Sequence, residues 1–422
     1  MKRLLLHGLI AAALALPAMA EAAPLHWARS WAASAEAPLP AAAGFPAGPA
    51  FHDQTLRQVV RLSGGGRQVR ILVSNEFGSA PLVIGAAHVA LAGPEGRIAG
   101  GDHVLSFGGK PSAVIPPGAP LVSDPLDLPA PALASLSISL YLPEAVATCT
   151  CHATSMQTAY AAPGDQTGAA ALTGAAKLQT RAFLSAVDVG SEQPARTIVA
   201  LGDSITDGVG STVDANRRWP DLLAERLIRR GHAAAYVANA GISGNRLLND
   251  GFGVNALARF DRDVLAAPGL AYVIVFEGVN DIGISHAARD GKGPLAGFMN
   301  AFGGAPVGAQ DLIFAYRQLI ARAHAHGLRI YGATIAPFEG AATWTPEGEA
   351  DRQAANAWIR TGGGFDGVID FDAAVRDPGH PSQIREGFHM GDHLHGDDAG
   401  YKAMAEAIDL GLFDDDGRGR HR

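Results

Sequence analysis

Apolar positions change their spacing along this chain, and the change divides it in two. As far as Gly190 they alternate with polar positions in short runs, the period of half-buried strands. Gln54–Leu62 and Gln68–Val73 are such runs, and Gly64-Gly65-Gly66 between them predicts a hairpin. Leu82–Ala92, Leu121–Leu126 and Leu136–Leu142 follow, divided by turns such as Pro116-Pro117-Gly118. No stretch here has a helical period, so residues 24–190 predict an accessory β-sandwich.

After the polar Gly190-Ser191-Glu192-Gln193-Pro194, which reads as a linker, continuous apolar runs alternate with helical periodicity. The runs at Thr197–Leu201, Ala235–Asn239, Ala271–Glu277, Arg329–Ile335 and Val368–Phe371 read as strands, buried on both faces as in parallel sheets. One helix starts at Trp219-Pro220 and stops at Gly231, with Pro at its first turn and Gly past its end. Ala309–His326 sets Leu312, Ile313, Tyr316, Leu319, Ile320 and Ala323 on one face, and Asp398–Leu410 closes the pattern. Strand–helix alternation predicts a three-layer α/β/α fold with a doubly wound parallel sheet over residues 195–413. The Gly-rich segment from Ile284 to Gly308 reads as a long loop near the site, and residues 414–422 as a charged tail.

Lys2 and Arg3, the apolar run Leu4–Leu16 and the small residues to Ala22 read as a signal peptide over residues 1–22. The run is shorter than the roughly 20 residues of a spanning helix, so a secreted or periplasmic protein without stable membrane insertion is expected. A formal net charge of -8 offers no basic face for nucleic acid. Cys149 and Cys151, the two cysteines present, either form a local disulfide or stay as thiols. With His152 they make only a weak zinc signal.

Candidate chemistry gathers at the carboxyl ends of the predicted parallel strands, where open α/β sheets bind ligands. Ser204 follows the first strand in Gly202-Asp203-Ser204, Gly241 ends the second and Asn280 follows the third. A late loop holds Asp392 and His395, three residues apart and able to face the same way. A serine needs a base to become a nucleophile, and an imidazole needs a carboxylate to fix its tautomer. The N–H groups of Ser204 and Gly241 and the Asn280 amide would serve developing oxyanion charge, Gly241 because its bare backbone admits a carbonyl oxygen.

Four blocks stand in the order of the GDSL/SGNH hydrolases, a superfamily that this chain resembles from Thr197 to Leu410. They are Gly-Asp-Ser at 202–204, Asn239-Ala240-Gly241-Ile242-Ser243-Gly244-Asn245-Arg246, Gly278-Val279-Asn280-Asp281, and Asp392-x-x-His395. The resemblance implies an SGNH (flavodoxin-like) sheet, with Ser204 as nucleophile and first oxyanion donor, and Gly241 and Asn280 as further donors. It implies His395 as base, Asp392 as orienting acid, and no metal or organic cofactor. Ser74-Asn75-Glu76-Phe77-Gly78 and Met156-Gln157-Thr158-Ala159-Tyr160 also look like the β-domain of secreted bacterial members. Ile205 replaces the family's Leu, and Gly396 stands where many relatives have Pro.

Other readings compete. His389, Asp392, His393 and His395, with Asp203 and Asp281, have the density of a metal cluster, but no further ligand-spaced pair accompanies them. His389 and His393 are expected as loop or rim residues. Asp397 and Asp398 compete with Asp392 as the acid and read better as helix caps. Asp203 is expected to bond its own turn, Asp281 to support the Asn280 loop, and Glu277 to pair with Arg246. Trp358 reads as helix packing and Trp344 as an exposed groove residue. The expectation is an exported serine ester hydrolase that removes O-acyl (acetyl) groups from carbohydrate. A lipid or small-ester carboxylesterase and an inactive carbohydrate-binding protein are the alternatives.

Overall fold

The computed structural model describes residues 24–37, 48–287 and 305–414. The expected signal peptide, most of the long loop before Gly308 and all but Asp414 of the charged tail lie outside these residues.

The N-terminal region is mostly strands, in two main antiparallel sheets. One orders His26–Ala32, Leu184–Ser191, Gly66–Ser74 and Pro120–Val122, with Leu126–Ala130 also on Gly66–Ser74. The other runs Ala176–Leu178, Ala159–Pro163, Gln54–Arg61, Ser135–Leu142, Ala86–Leu91 and His103–Val104. Val69, Ile71 and Val73 from the first sheet share one apolar core with Leu56, Val60, Ile138 and Leu140 from the second. The predicted hairpin does not form. Gln54–Arg61 and Gly66–Ser74 are strands, but the triple glycine carries the chain from one sheet to the other. Gln54–Arg61 pairs with Ser135–Leu142 and Ala159–Pro163, partners far away in sequence that the local pattern cannot reveal.

The C-terminal half has the GDSL/SGNH α/β hydrolase fold. Its five-stranded sheet is parallel throughout, in the order Ala235–Gly241, Arg196–Gly202, Leu270–Phe276, Arg329–Ala333, Gly367–Ile369. The inner strands Arg196–Gly202 and Leu270–Phe276 are nearly continuous in buried residues because helices cover both faces, whereas Val368 on the edge strand is exposed. Trp219–Arg230 and Phe371–Val375 pack with Asp398–Ala407, while Ala309–Ala325 and Val279–Ala287 pack with Pro346–Thr361. Strand order reverses between Arg196–Gly202 and Leu270–Phe276. Gly202 pairs with both Gly241 and Phe276, so three strands end level at the switch point where such sheets bind ligands.

The two halves meet closely. Asp214, in the loop before Trp219–Arg230, accepts the Thr158 N–H at 2.6 Å and the Gln157 amide at 2.8 Å. Among the described residues no helix is long and apolar enough to cross a membrane.

Candidate active site

Ser204 opens a single helical turn, Ser204–Asp207, immediately after a strand. Asp203 caps the turn by accepting the Ile205 N–H at 2.9 Å, and Gly208 closes it in a left-handed conformation. The strand must end in glycine: a Cβ on Gly202 would fall 2.0 Å from Thr206 Oγ1 and 2.8 Å from the Phe276 carbonyl oxygen. The hydroxyl therefore stands at the sheet's end, held by backbone.

His395 Nε2 lies 2.8 Å from Ser204 Oγ, and His395 Nδ1 lies 2.6 Å from Asp392 Oδ2. Asp392 Oδ1 also accepts the backbone N–H groups of Leu394 (3.0 Å) and His395 (2.9 Å). Burial alone would raise the Asp392 pKa, but the His395 ring and these N–H donors outweigh it and hold the carboxyl below its usual range. His389 sits in this loop with its ring buried. Its Nδ1 accepts the N–H groups of Gly391 (3.1 Å) and His393 (3.3 Å), and the Met390 N–H reaches the His395 carbonyl at 2.9 Å. The loop carrying the base is thus closed on itself. Asp397 caps Asp398–Ala407 through Ala399 and Gly400, and Asp398 binds Thr212. Neither reaches His395.

Gly241 does not stand where the sequence reading puts it. Its N–H donates to Asn239 Oδ1 at 2.8 Å, and its Cα face is packed on the Asp207 backbone. It lines a small cleft with His152 and Asp207, not the space in front of Ser204. Gly244 lines that space, with φ at 77° and Phe252 against its Cα. The signal for it was the Ser243-Gly244-Asn245 turn in the same block, since a glycine between polar turn residues marks left-handed backbone. Asn280 also faces the space, and one of its amide hydrogens is given to the Asn245 carbonyl at 3.0 Å.

Behind these residues lies a buried acidic group. Asp281 accepts the N–H groups of Leu247 (2.8 Å) and Leu248 (3.1 Å), fixing the stretch after the Gly244 turn. Glu277 pairs with Arg259 at 3.4 Å rather than with Arg246. Arg259 also binds the carbonyl oxygens of Gly202 (3.0 Å) and Ala240 (2.7 Å), gathering two strand ends. Nothing local in the sequence marks that role. Burial pushes Asp203 up to about 7 and Asp281 up to about 6, each against its N–H donors, and raises Glu277 well above the carboxylate range.

In front of Ser204 opens a cavity of about 540 Å³, bounded by His395, Asn280 and Gly244 on the polar side. Val209, Phe252, Leu394 and the Cys149–Cys151 disulfide supply apolar lining, the disulfide coming from the N-terminal strands. Trp344 is absent from this lining: it is half-buried against the core. Trp358 stacks on Tyr316 as a packing residue. Among the described residues, no group of three or more His, Cys, Asp or Glu is placed to hold a metal ion.

Comparison with known proteins concerns the C-terminal half of the chain. Residues 200–403 match the GDSL-like Lipase/Acylhydrolase family. Similar solved structures include a GDSL-like lipase from Bacteroides thetaiotaomicron VPI-5482, 19% identical, TM-score 0.34, covering 50% of this chain and 85% of that one. A carbohydrate acetylesterase family member from Sinorhizobium meliloti is 16% identical, TM-score 0.38, covering 51% and 97%. An acetyl xylan esterase is 20% identical, TM-score 0.36, covering 50% and 96%. No match was found among curated proteins.

Proposed function

This chain carries, over residues 200–403, a domain of the GDSL-like lipase/acylhydrolase family, and from that premise we propose that it is an exported serine ester hydrolase. The observation that carries the reading is the unbroken hydrogen-bonded chain Ser204–His395–Asp392 opening onto a cavity.

In the proposed reaction Ser204 Oγ attacks the ester carbonyl carbon while His395 Nε2 takes its proton. Asp392 holds the ring with Nδ1–H towards itself and favours the imidazolium that forms. The N–H groups of Ser204 and Gly244 and the free Asn280 amide hydrogen receive the oxyanion, Gly244 replacing Gly241 because the Gly241 N–H is already engaged. The tetrahedral species collapses, His395 gives the proton to the leaving alcohol, and water activated at His395 releases the acid from the acyl-enzyme. The chain's own groups suffice for each step.

The substrate reading is an O-acyl ester of carbohydrate, supported by the signal-peptide pattern read in the sequence of residues 1–22 and by an accessory region beside the site. On this reading residues 24–190 are a β-sandwich domain and residues 195–413 the catalytic domain, which two apolar cores support, Tyr236 of the second half packing into the first core. The cavity favours a second reading, a lipid or small-ester carboxylesterase, since its apolar lining is much larger than an acetyl group needs.

Ser204→Ala tests the central claim. Turnover of p-nitrophenyl acetate should vanish with the melting temperature unchanged, and a fluorophosphonate should label only the wild type. A variant that retains turnover overturns the assignment, and a wild type that hydrolyses no ester but binds polysaccharide favours the binding protein.

A further inference from the structure

His152 belongs to the N-terminal strands, in the short strand Cys151–His152, yet it reaches the back of the active site. Its Nε2 lies 2.9 Å from Asp207 Oδ1, while its Nδ1 lies 3.0 Å from the Ser34 carbonyl oxygen and 3.1 Å from Glu36 Oε1. All three titratable side chains are buried. Both ring nitrogens face only acceptors, and an imidazole donates at both only when it is protonated. Burial opposes that charge, but the carboxylates of Asp207 and Glu36 outweigh it and raise the His152 pKa well above its ordinary value. Arg218 acts on Asp207 from the loop before the Trp219 helix, and Arg262 on Glu36 from the other side, so the carboxylates are compensated on each flank.

Asp207 links this imidazolium to the site. It ends the helical turn that Ser204 begins, and its Oδ2 accepts both the N–H (3.1 Å) and the hydroxyl (2.6 Å) of Ser243. Ser243 immediately precedes Gly244. One buried carboxylate therefore ties the nucleophile's turn to the turn on the opposite side of the cavity, and it is aimed by a cation from a distant part of the chain.

We propose that His152 is a positioning residue of the ester hydrolase: clamped between Glu36 and Asp207, it holds Asp207 against Ser243 and so sets where the Gly244 N–H meets the oxyanion beside Ser204. This rests on the reading of Ser204 as nucleophile. The N-terminal strands are then part of the catalytic apparatus and not only a neighbour of it. Without His152, Asp207 Oδ1 loses the one hydrogen-bond donor that reaches it among the described residues, and the carboxylate either shifts in place or turns from Ser243. Each outcome frees the Gly244 turn, and displacements of about 1 Å at such sites cost on the order of 100-fold in rate.

The test compares His152→Leu, His152→Gln, Ser243→Ala and the His152→Gln/Ser243→Ala double variant, with Ser204→Ala as control. Steady-state hydrolysis of p-nitrophenyl acetate and thermal melting are measured on the full chain. His152→Leu should lose roughly 10–100-fold in kcat with KM within about twofold, the signature of a lost transition-state contact. His152→Gln, which keeps one N–H for Asp207, should recover part of that loss. Ser243→Ala should lose kcat to a similar degree, and the double variant should lose no more than the worse single one, because both act through the same carboxylate. Should His152→Leu fail to fold, the other variants carry the test. Folded His152→Gln and Ser243→Ala proteins with wild-type kcat, or losses that multiply in the double variant, overturn the proposal. Turnover by Ser204→Ala instead overturns the reading beneath it.

Discussion

Asp392 binds His395 twice: its Oδ2 lies 2.6 Å from the ring Nδ1, and its Oδ1 accepts the His395 backbone N–H at 2.9 Å. The carboxylate thus sets both the tautomer of the ring and the position of the backbone that carries it. Asp392→Asn should keep the fold and KM but lower kcat by roughly 10³–10⁴-fold, the loss seen when an amide imposes the wrong tautomer in another serine hydrolase. Because the Asp392 pKa is depressed, its charge persists as pH falls through the usual carboxylate range. An acid limb of kcat/KM above about pH 5 is therefore expected to belong to another group. A pH–rate profile of the variant whose limb disappears would contradict this.

Asp203 should make stability fall as pH rises. Its pKa goes from the ordinary 3.8 to about 7 on folding, so the native state holds the proton more tightly. The contribution is complete below the unfolded value and is lost as pH rises through about 7. Asp203→Asn keeps a cap acceptor for Ile205 and removes the titration. Relative to wild type it should gain on the order of 2–4 kcal/mol between pH 4 and pH 8, read from urea midpoints. Parallel curves for the two proteins would refute the assignment.

Arg259 and Glu277 should respond unequally. Arg259→Met abandons two strand-end carbonyls and a buried acid together, and should cost about 3–5 kcal/mol in chemical denaturation. Glu277→Gln should cost less than about 1 kcal/mol, because burial already favours the neutral carboxyl. Equal losses would mean that the ion pair itself is the stabilising unit.

Acyl preference tests the cavity. If the apolar lining takes the acyl chain, kcat/KM should rise from acetyl to hexanoyl esters by roughly fourfold per methylene, following about 0.8 kcal/mol each. Phe252→Ala should flatten that rise while sparing acetate. A flat wild-type series would place the alcohol group in the cavity instead.

Gly244 and Gly241 should fail in different ways. A Cβ on Gly241 would sit 2.3 Å from the Asp207 nitrogen, whereas one on Gly244 would enter the Phe252 ring from a left-handed backbone. Gly241→Ala should chiefly lower the melting temperature. Gly244→Ala should lower kcat by about 10²-fold or more, as loss of an oxyanion donor does. The reverse pattern would restore Gly241 as the donor.

Local periodicity determined a good deal here. It set the run of strands before Gly190, the strand–helix alternation after Ala195 and the serine, asparagine and histidine blocks at the strand ends, because side-chain period and turn chemistry are properties of neighbouring residues. What neighbours could not decide was who meets whom. The triple glycine looked like a hairpin, yet its flanking strands pair with Ser135–Leu142 and Leu184–Ser191 in separate sheets. Gly241 and Gly244 lie three residues apart in one block, yet the Asn239 side chain folds back on the Gly241 N–H and the Asp207 backbone packs on its Cα, leaving Gly244 to face the cavity. Glu277 found Arg259 instead of Arg246 within the C-terminal half, and His152 found Asp207 through a contact that exists only once the two halves pack. Burial then shifted Asp203, Asp281 and Glu277 upward, since a carboxylate's cost depends on surroundings assembled from distant parts of the chain.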